Sequence, residues 1–290
     1  MAFTHCSIIG LGLLGGSLAI DLRRRYPQMM LTGIARRAET VAEAQALRVD
    51  EVPVFTQVST DLAASRTADL VVLCTPVQTI IEQLVELGAL LAPGTVVTDV
   101  GSTKRAIMNA ASTALPDGVF FIGGHPMAGS ERKGLEHSRA GIYRGATWAL
   151  CAPPGAEAAC ARLVTVIEAL EARPLYLDAG THDLLVAHTS HLPHVVAAAL
   201  TNVVLGGLAP EATHPFIAGG FRDTTRIAAS SPAMWRDICL TNRDYLLTTL
   251  DALTEELARW REAIGSNDAP HLEALFTLAR DRREEVTPPT

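Results

Sequence analysis

The chain has no cysteine pair at C-x-x-C spacing. Its five cysteines, Cys6, Cys74, Cys151, Cys160 and Cys239, are scattered, and three lie inside apolar runs. That pattern excludes a disulfide framework or a cysteine-based metal site as the expectation, and predicts reduced, buried thiols in a cytoplasmic protein. A basic stripe is also lacking. Lys and Arg number 24 against 31 Asp and Glu, for a formal net charge of -7. Nucleic acid is therefore not an expected partner, and any anionic ligand must be met by a local cation. Apolar runs are broken by Gly, Pro or charge before a membrane span is complete, so no membrane partner is expected. No secretory leader is expected either, because the first glycine-rich turn belongs to a fold motif.

What is present is enough apolar material for a sizeable core. The 290 residues are 48% hydrophobic and 19% charged. At roughly 150 residues per domain, this is one large domain or two ordinary ones. Short β-branched runs at 6–10, 30–35, 68–76, 95–102, 119–126, 146–153 and 173–178 alternate with helical patterns at 15–26, 38–47, 79–91, 103–112 and 156–171. Strands apolar enough to be buried on both faces, alternating with helices, predict a parallel α/β sheet. After Asp178 the texture turns helical throughout, with one helix expected from 181 to about 205 and another from about 231 to 264. The expected architecture is a Rossmann-type parallel sheet domain over 1–179, followed by an all-α domain over 180–290.

The first strand runs into "GLGLLGGS", in which Gly10, Gly12 and Gly15 fit G-x-G-x-x-G. The first glycine permits a tight turn, the second a close approach to a pyrophosphate, and the third close packing of helix on strand. Leu13 and Leu14 then open a helix whose N-terminus would face the phosphates. A lone glycine match is weak, but this one lies between a strand and a helix, which is the context the motif requires. About 20 residues on, an NAD enzyme places an acid on the ribose. Here Ala35 stands there, followed by Arg36 and Arg37. Guanidinium groups would pair with a 2′-phosphate, so this reading favours NADP over NAD. The alternative is two surface arginines that merely begin a helix.

Ligands of open α/β sheets bind beyond the carboxyl ends of strands. Three such ends are unusual: "LCTPV" with Cys74, Thr75 and Pro76, "DVGSTK" with Ser102 and Lys104, and "GGHPMAGSE" with His125, Ser130 and Glu131. A histidine after glycines at a strand end lies over the cofactor cleft. Histidine is also the side chain whose ordinary pKa suits proton transfer near neutrality.

Together, "GLGLLGGSL", "LCTPV", "VTDVGSTK", "GGHPMAGSE", "HDLLVAHTSHLPH" and "FRDTTRIAASSPAMWRDI" resemble, in order, the motifs of the prephenate/arogenate dehydrogenase family of tyrosine biosynthesis. The likeness runs from about 5 to 270. It implies a monofunctional enzyme that oxidises a ring hydroxyl by hydride transfer to NAD(P) and then loses the ring carboxylate as carbon dioxide. It implies a homodimer built through the helical domain. It assigns His125 as acceptor of the hydroxyl hydrogen, with Ser102 bonding that hydroxyl or the His125 ring. Arg226 becomes the carboxylate clamp, while Arg222 makes a structural pair with Asp223 or Asp237. His191 and His194 line the substrate pocket, with Ser130 beside them, and His182 and His188 are structural. Glu131 is either a gate at the pocket mouth or a plain loop carboxylate. Trp235 anchors the helical core. A zinc site at His188, His191 and His194 is disfavoured by Pro193 and by the lack of H-E-x-x-H. His194 as a donor to a keto group favours prephenate over arogenate.

Two other classes fit less well. A β-hydroxyacid dehydrogenase would need a catalytic lysine on the long helix, and 181–205 contains none. A non-catalytic NADP-binding sensor would have no use for His125, Ser102 and Arg226 together.

Overall fold

The computed structural model describes residues 2–129, 132, 134–207 and 209–286. Two compact units divide the chain, residues 1–242 and 243–290. In the first, strands β1 (His5–Ile9), β2 (Met30–Ile34), β3 (Arg48–Val49), β4 (Val52–Pro53), β5 (Gln57–Ser59), β6 (Leu70–Leu73), β7 (Val96–Asp99), β8 (Phe120–Pro126), β9 (Thr147–Cys151) and β10 (Arg173–Tyr176) are threaded by helices α1 (Leu13–Arg25), α2 (Ala38–Ala46), α3 (Val77–Gly88), α4 (Arg105–Ala114) and α5 (Glu157–Ala169). Helical elements α6 (Ala179–Val186), α7 (Leu192–Gly206), α8 (Pro210–Thr213), α9 (Gly219–Thr225) and α10 (Pro232–Thr241) follow. The second unit is α11 (Arg243–Gly265) and α12 (Ala269–Glu285).

Eight strands form one sheet in the order β10-β9-β8-β7-β6-β1-β2-β5, and β3 pairs with β4 in a separate hairpin. From β5 to β8 every pairing is parallel, and β1 lies between β2 and β6. That position is the switch point at which crevices open in doubly wound sheets. β1, β6 and β7 are buried along their whole length. The two apolar layers explain why: Ile8, Leu31 and Val72 pack on one side, and Ile9, Val71 and Val97 on the other, under α3 and α4.

The sheet is not parallel throughout. β9 runs antiparallel to β8, in the register His125↔Ala149. Parallel neighbours need a crossover, usually a helix. Among the described residues, only a short 3₁₀ turn (Leu135–His137) lies between β8 and β9, so the chain returns alongside in the opposite sense.

The helical stretch also differs in detail from expectation. The run at 181–205 is divided by a π-helical turn, Ala187–His191, immediately before Pro193. Proline has no N–H to donate, and its ring clashes with the carbonyl four residues back, which widens the preceding turn. The helix expected over 231–264 breaks at Asn242, the C-cap of α10, with φ -117 and ψ 30.

Candidate active site

The glycine loop has the form its spacing predicts. Gly10 adopts φ +100, and a Cβ there would stand 2.7 Å from the Cys74 carbonyl carbon and from the Thr75 methyl. The loop at the end of β6 is therefore seated directly on the glycine turn. A Cβ on Gly15 would meet the Gly10 carbonyl oxygen at 2.1 Å, so helix and strand approach as closely as glycine allows. A Cβ on Gly12 would meet nothing within 4 Å. Gly12 thus faces open space, at the N-cap of α1, where no side chain caps the helix and no acid lies in its first turn. Unsatisfied N–H groups beside an open, uncharged surface fit a pyrophosphate. Burial, with Asp99 nearby, raises the Cys74 thiol pKa, so no thiolate repels the phosphates. Thr75 donates to Gln83 Oε1 at 2.7 Å, and Pro76 caps α3. At the end of β2, Ala35 is buried while Arg36 and Arg37 are exposed; Arg37 also donates to Thr40 Oγ1 at 3.2 Å.

The chain beyond His125 docks on α1. A Cβ on Gly16 would collide with Leu135 at 2.5 Å, the Arg139 N–H donates to Ser17 Oγ at 3.0 Å, and Tyr143 Oη donates to the Leu14 carbonyl at 2.7 Å. Leu13 and Leu14 are thereby clamped at the helix start. Ser130 and Glu131 lie outside the described residues.

His125 occupies the carboxyl end of β8 and is partly buried. A buried ion pair anchors that strand end. Lys104 and Asp99 are fully enclosed and bonded to each other; Lys104 Nζ also donates to the Gly124 carbonyl at 2.6 Å, and Asp99 Oδ1 accepts the Gly124 N–H at 2.9 Å. Asp99 Oδ2 further accepts the Gly101 N–H at 2.8 Å, which fixes the turn carrying Ser102. Burial, the two neighbouring histidines His182 and His191, and the Lys104 charge hold the His125 pKa well below the ordinary imidazole value.

The ring of His125 is not bonded through Nδ1 to Ser102. Its Nδ1 lies 2.9 Å from His182 Nε2, and His182 Nδ1 lies 2.8 Å from Asp183 Oδ1. His182, expected from the sequence as a structural residue, thus bonds both His125 and Asp183, an adjacent His-Asp pair not singled out from the sequence.

From there the site continues across the helical elements. Asn242 Nδ2 donates to the Asp183 carbonyl at 2.7 Å and to His191 Nδ1 at 3.1 Å. His191 is buried, with its pKa lowered to about 4 chiefly by burial. Its ring meets Trp235 edge-on at 5.8 Å, and His194 stacks on the same indole at 3.8 Å. Burial lowers the His194 pKa, the Ser190 carbonyl opposes that shift, and the Arg226 charge adds to it, which places Arg226 within electrostatic reach of His194. Asp237 pairs with Arg236 at 2.7 Å. His188 Nδ1 bonds the Leu184 carbonyl, and among the described residues no His, Cys, Asp or Glu cluster is placed to hold a metal.

Two family models account for most of the sequence: the prephenate dehydrogenase nucleotide-binding domain over residues 18–175, and the prephenate dehydrogenase dimerization domain over 178–278. The chain belongs to the prephenate dehydrogenase family. It is 34% identical to prephenate dehydrogenase of Bacillus subtilis over 96% of this chain and 74% of that protein. The crystal structure of prephenate dehydrogenase from A. aeolicus, in complex with hydroxyphenyl propionate and NAD+, matches with TM-score 0.87 and 31% identity over 97% of this chain and 98% of that one. Synechocystis arogenate dehydrogenase matches with TM-score 0.80 and 31% identity over 98% and 100% of the two chains. Membership of this dehydrogenase family agrees with the α/β fold.

Proposed function

We propose that this prephenate dehydrogenase family member oxidises prephenate to 4-hydroxyphenylpyruvate with release of carbon dioxide. The observation that carries the reading is His125, held at the carboxyl end of β8 with Nδ1 bonded to His182 and, among the described residues, no hydrogen-bond partner on Nε2. The nicotinamide cofactor, when bound, accepts the hydride from the hydroxyl-bearing ring carbon. His125 Nε2 takes the hydroxyl proton as the hydride leaves. The resulting dienone loses its ring carboxylate as carbon dioxide, the C–C electron pair completes the aromatic ring, and the imidazolium returns its proton to the same oxygen. No net proton is consumed. Ser102 is the second hydrogen-bonding group at that oxygen, and Arg226 is the partner of a substrate carboxylate, where a guanidinium can bind both oxygens.

The cofactor reading favours NADP. Ala35 leaves the ribose position without a carboxylate, and the exposed Arg36 and Arg37 suit a 2′-phosphate. The assembly reading is a homodimer. Helix α7 exposes Val203 and Leu205, and an apolar cavity of about 520 Å³, lined by residues that include Val195, Ala198, Ala199 and Ile227, opens beside His194 and Trp235. His194, Trp235 and Arg236 are among its lining residues, and His125 and Ser102 are not. The five free thiols suit a cytoplasmic enzyme.

A second reading, arogenate as substrate, is favoured by one contact. His194 Nδ1 lies 2.9 Å from the Ser190 carbonyl and must donate to it, so the neutral ring offers Nε2 as an acceptor. That suits the ammonium of arogenate, whereas the sequence argument for prephenate treated His194 as a donor. The test is a four-cell assay of cofactor reduction by absorbance, prephenate and arogenate each with NAD and with NADP. Turnover in the prephenate–NADP cell is expected. Turnover with arogenate alone would overturn the substrate, turnover with NAD alone would overturn the role of Arg36 and Arg37, and silence in every cell would overturn the enzyme reading.

A further inference from the structure

Two side chains behind His125 have no part in the proposed reaction. Helix α6 begins with Asp178 as its cap and places His182 and Asp183, both buried, in its first turns. Asp183 bridges two structures. Its Oδ1 accepts the Lys104 N–H at 2.7 Å and its Oδ2 accepts the Arg105 N–H at 2.9 Å, so the carboxylate caps the start of α4. That same Oδ1 lies 2.8 Å from His182 Nδ1.

The proton positions follow from counting donors. A carboxylate that takes main-chain N–H groups on both oxygens is an acceptor, so His182 Nδ1 must donate to it. An imidazole with its proton on Nδ1 carries a lone pair on Nε2. His125 Nδ1, 2.9 Å from that lone pair, must therefore carry the proton. The lone pair of His125 is left on Nε2. Each assignment depends on the one behind it, and the chain ends on a carboxylate locked by the backbone of a helix start.

We propose that Asp183 and His182 are positioning residues that hold His125 as the Nδ1–H tautomer, with Nε2 as the acceptor, and spread the charge His125 gains during turnover. The proposal rests on the dehydrogenase reading for what His125 does, but not for which tautomer it adopts. The imidazolium formed at His125 donates through Nδ1 to His182, whose own N–H points at Asp183. The remaining groups around this chain are His191 from the π turn, Lys104 ahead of α4 with its partner Asp99 at the end of β7, and Cys151 on β9. Among the described residues, His182 alone bonds His125 Nδ1, and the Lys104 charge is offset by Asp99.

The experiment pairs ring ¹⁵N spectra of histidine-labelled full-length protein with kinetics of the same samples. In the wild type, His125 is expected to show a protonated Nδ1 and a bare Nε2. Asp183→Ala removes the acceptor that holds the His182 proton on Nδ1, so the protons of His182 and His125 are no longer confined to Nδ1. Its kcat is expected to fall by roughly 10²- to 10⁴-fold, as loss of the carboxylate does in serine-protease triads, with cofactor Kd and substrate KM changed less than about threefold. His182→Gln, whose carbonyl can still accept from His125 Nδ1, should retain more turnover than His182→Leu and show a different acid limb in its pH profile. A wild-type spectrum with the proton on His125 Nε2 would overturn the proposal, and so would Asp183→Ala turning over within about threefold of wild type. If Asp183→Ala fails to fold, the wild-type spectrum and the His182 pair still decide. A wild type without turnover on either substrate would sink the enzyme reading, and the ring spectrum would judge the tautomer separately.

Discussion

At the scale of single residues, the chemistry turns on imidazoles held neutral by burial. His125 must be unprotonated to accept a proton, and its folded pKa is held well below the ordinary value by burial, by His182 and His191, and by Lys104. The sign is definite: lowering the pKa extends the active, neutral form toward acid. The acid limb of kcat/KM is therefore expected to have its midpoint below about 6.5, the unperturbed imidazole value. A pH profile measured at saturating cofactor checks this, and a midpoint at or above that value would contradict it. The same scale adds two contacts to the residue-by-residue reading. His194 Nδ1 is committed to the Ser190 carbonyl, which leaves Nε2 of the neutral ring as an acceptor. His125 Nδ1 is held by His182.

At the scale of elements, close approach matters more than any single contact. The glycine loop works because β1, α1 and the turn after β6 meet with almost no side-chain volume between them. Gly15→Ala puts a methyl carbon 2.1 Å from a main-chain oxygen that cannot rotate away. Strain of this sort typically costs about 1–3 kcal/mol. Because it displaces the N-terminus of α1 from the phosphates, cofactor Kd is expected to rise roughly 5- to 100-fold, and a fluorescence titration of the reduced cofactor reads it. An unchanged Kd would show that α1 does not carry the phosphate site. The π turn at Ala187–His191 is a second element-scale device. It arises from Pro193, and it separates α6, which carries the dyad behind His125, from α7, which carries His194. One straight helix would place those histidines on a different angular spacing.

At the scale of the whole molecule, neutral buried histidines tie stability to pH. His191 titrates at about 4 in the folded chain against about 6.5 when unfolded. Between those values the unfolded chain binds more protons, so stability is intact above about 6.5 and is lost as pH falls toward 4. The lowered values of His125 and His194 act in the same direction. His191 alone contributes roughly 3 kcal/mol of this loss by the acid end. The melting temperature is expected to fall steadily from pH 7 to pH 5, and His191→Asn should flatten that slope. A melting temperature constant over this range would refute the linkage. The same scale explains the exposed apolar faces. Val203 and Leu205 on α7 lie within the region matched by the dimerization-domain model, and the proposed homodimer would give these side chains a second subunit to pack against.

Much of the fold was legible because its cause is local. Alternating apolar strands and amphipathic helices write their period into the chain, and the seven expected strands of the main sheet lie within a few residues of those observed. The glycine spacing was readable for the same reason, since each glycine answers a steric demand of its immediate neighbours. His125 stood out because its strand end is itself a sequence feature, and the ordered likeness to a family supplied Ser102, Arg226, His191 and His194. What the sequence could not show depends on pairs far apart in the chain. The antiparallel turn of β9 against β8, the hairpin β3–β4, the Asp99–Lys104 anchor, and the line from His125 through His182 to Asp183 exist only once β8, α4 and α6 have packed. His182 is 57 residues from the ring it touches, and Asp183 is 79 from the helix start it caps. Composition and periodicity specify which elements form and which faces they bury. Only the packed structure decides which hydrogen-bond partners meet, and with them which nitrogen of His125 is committed to His182.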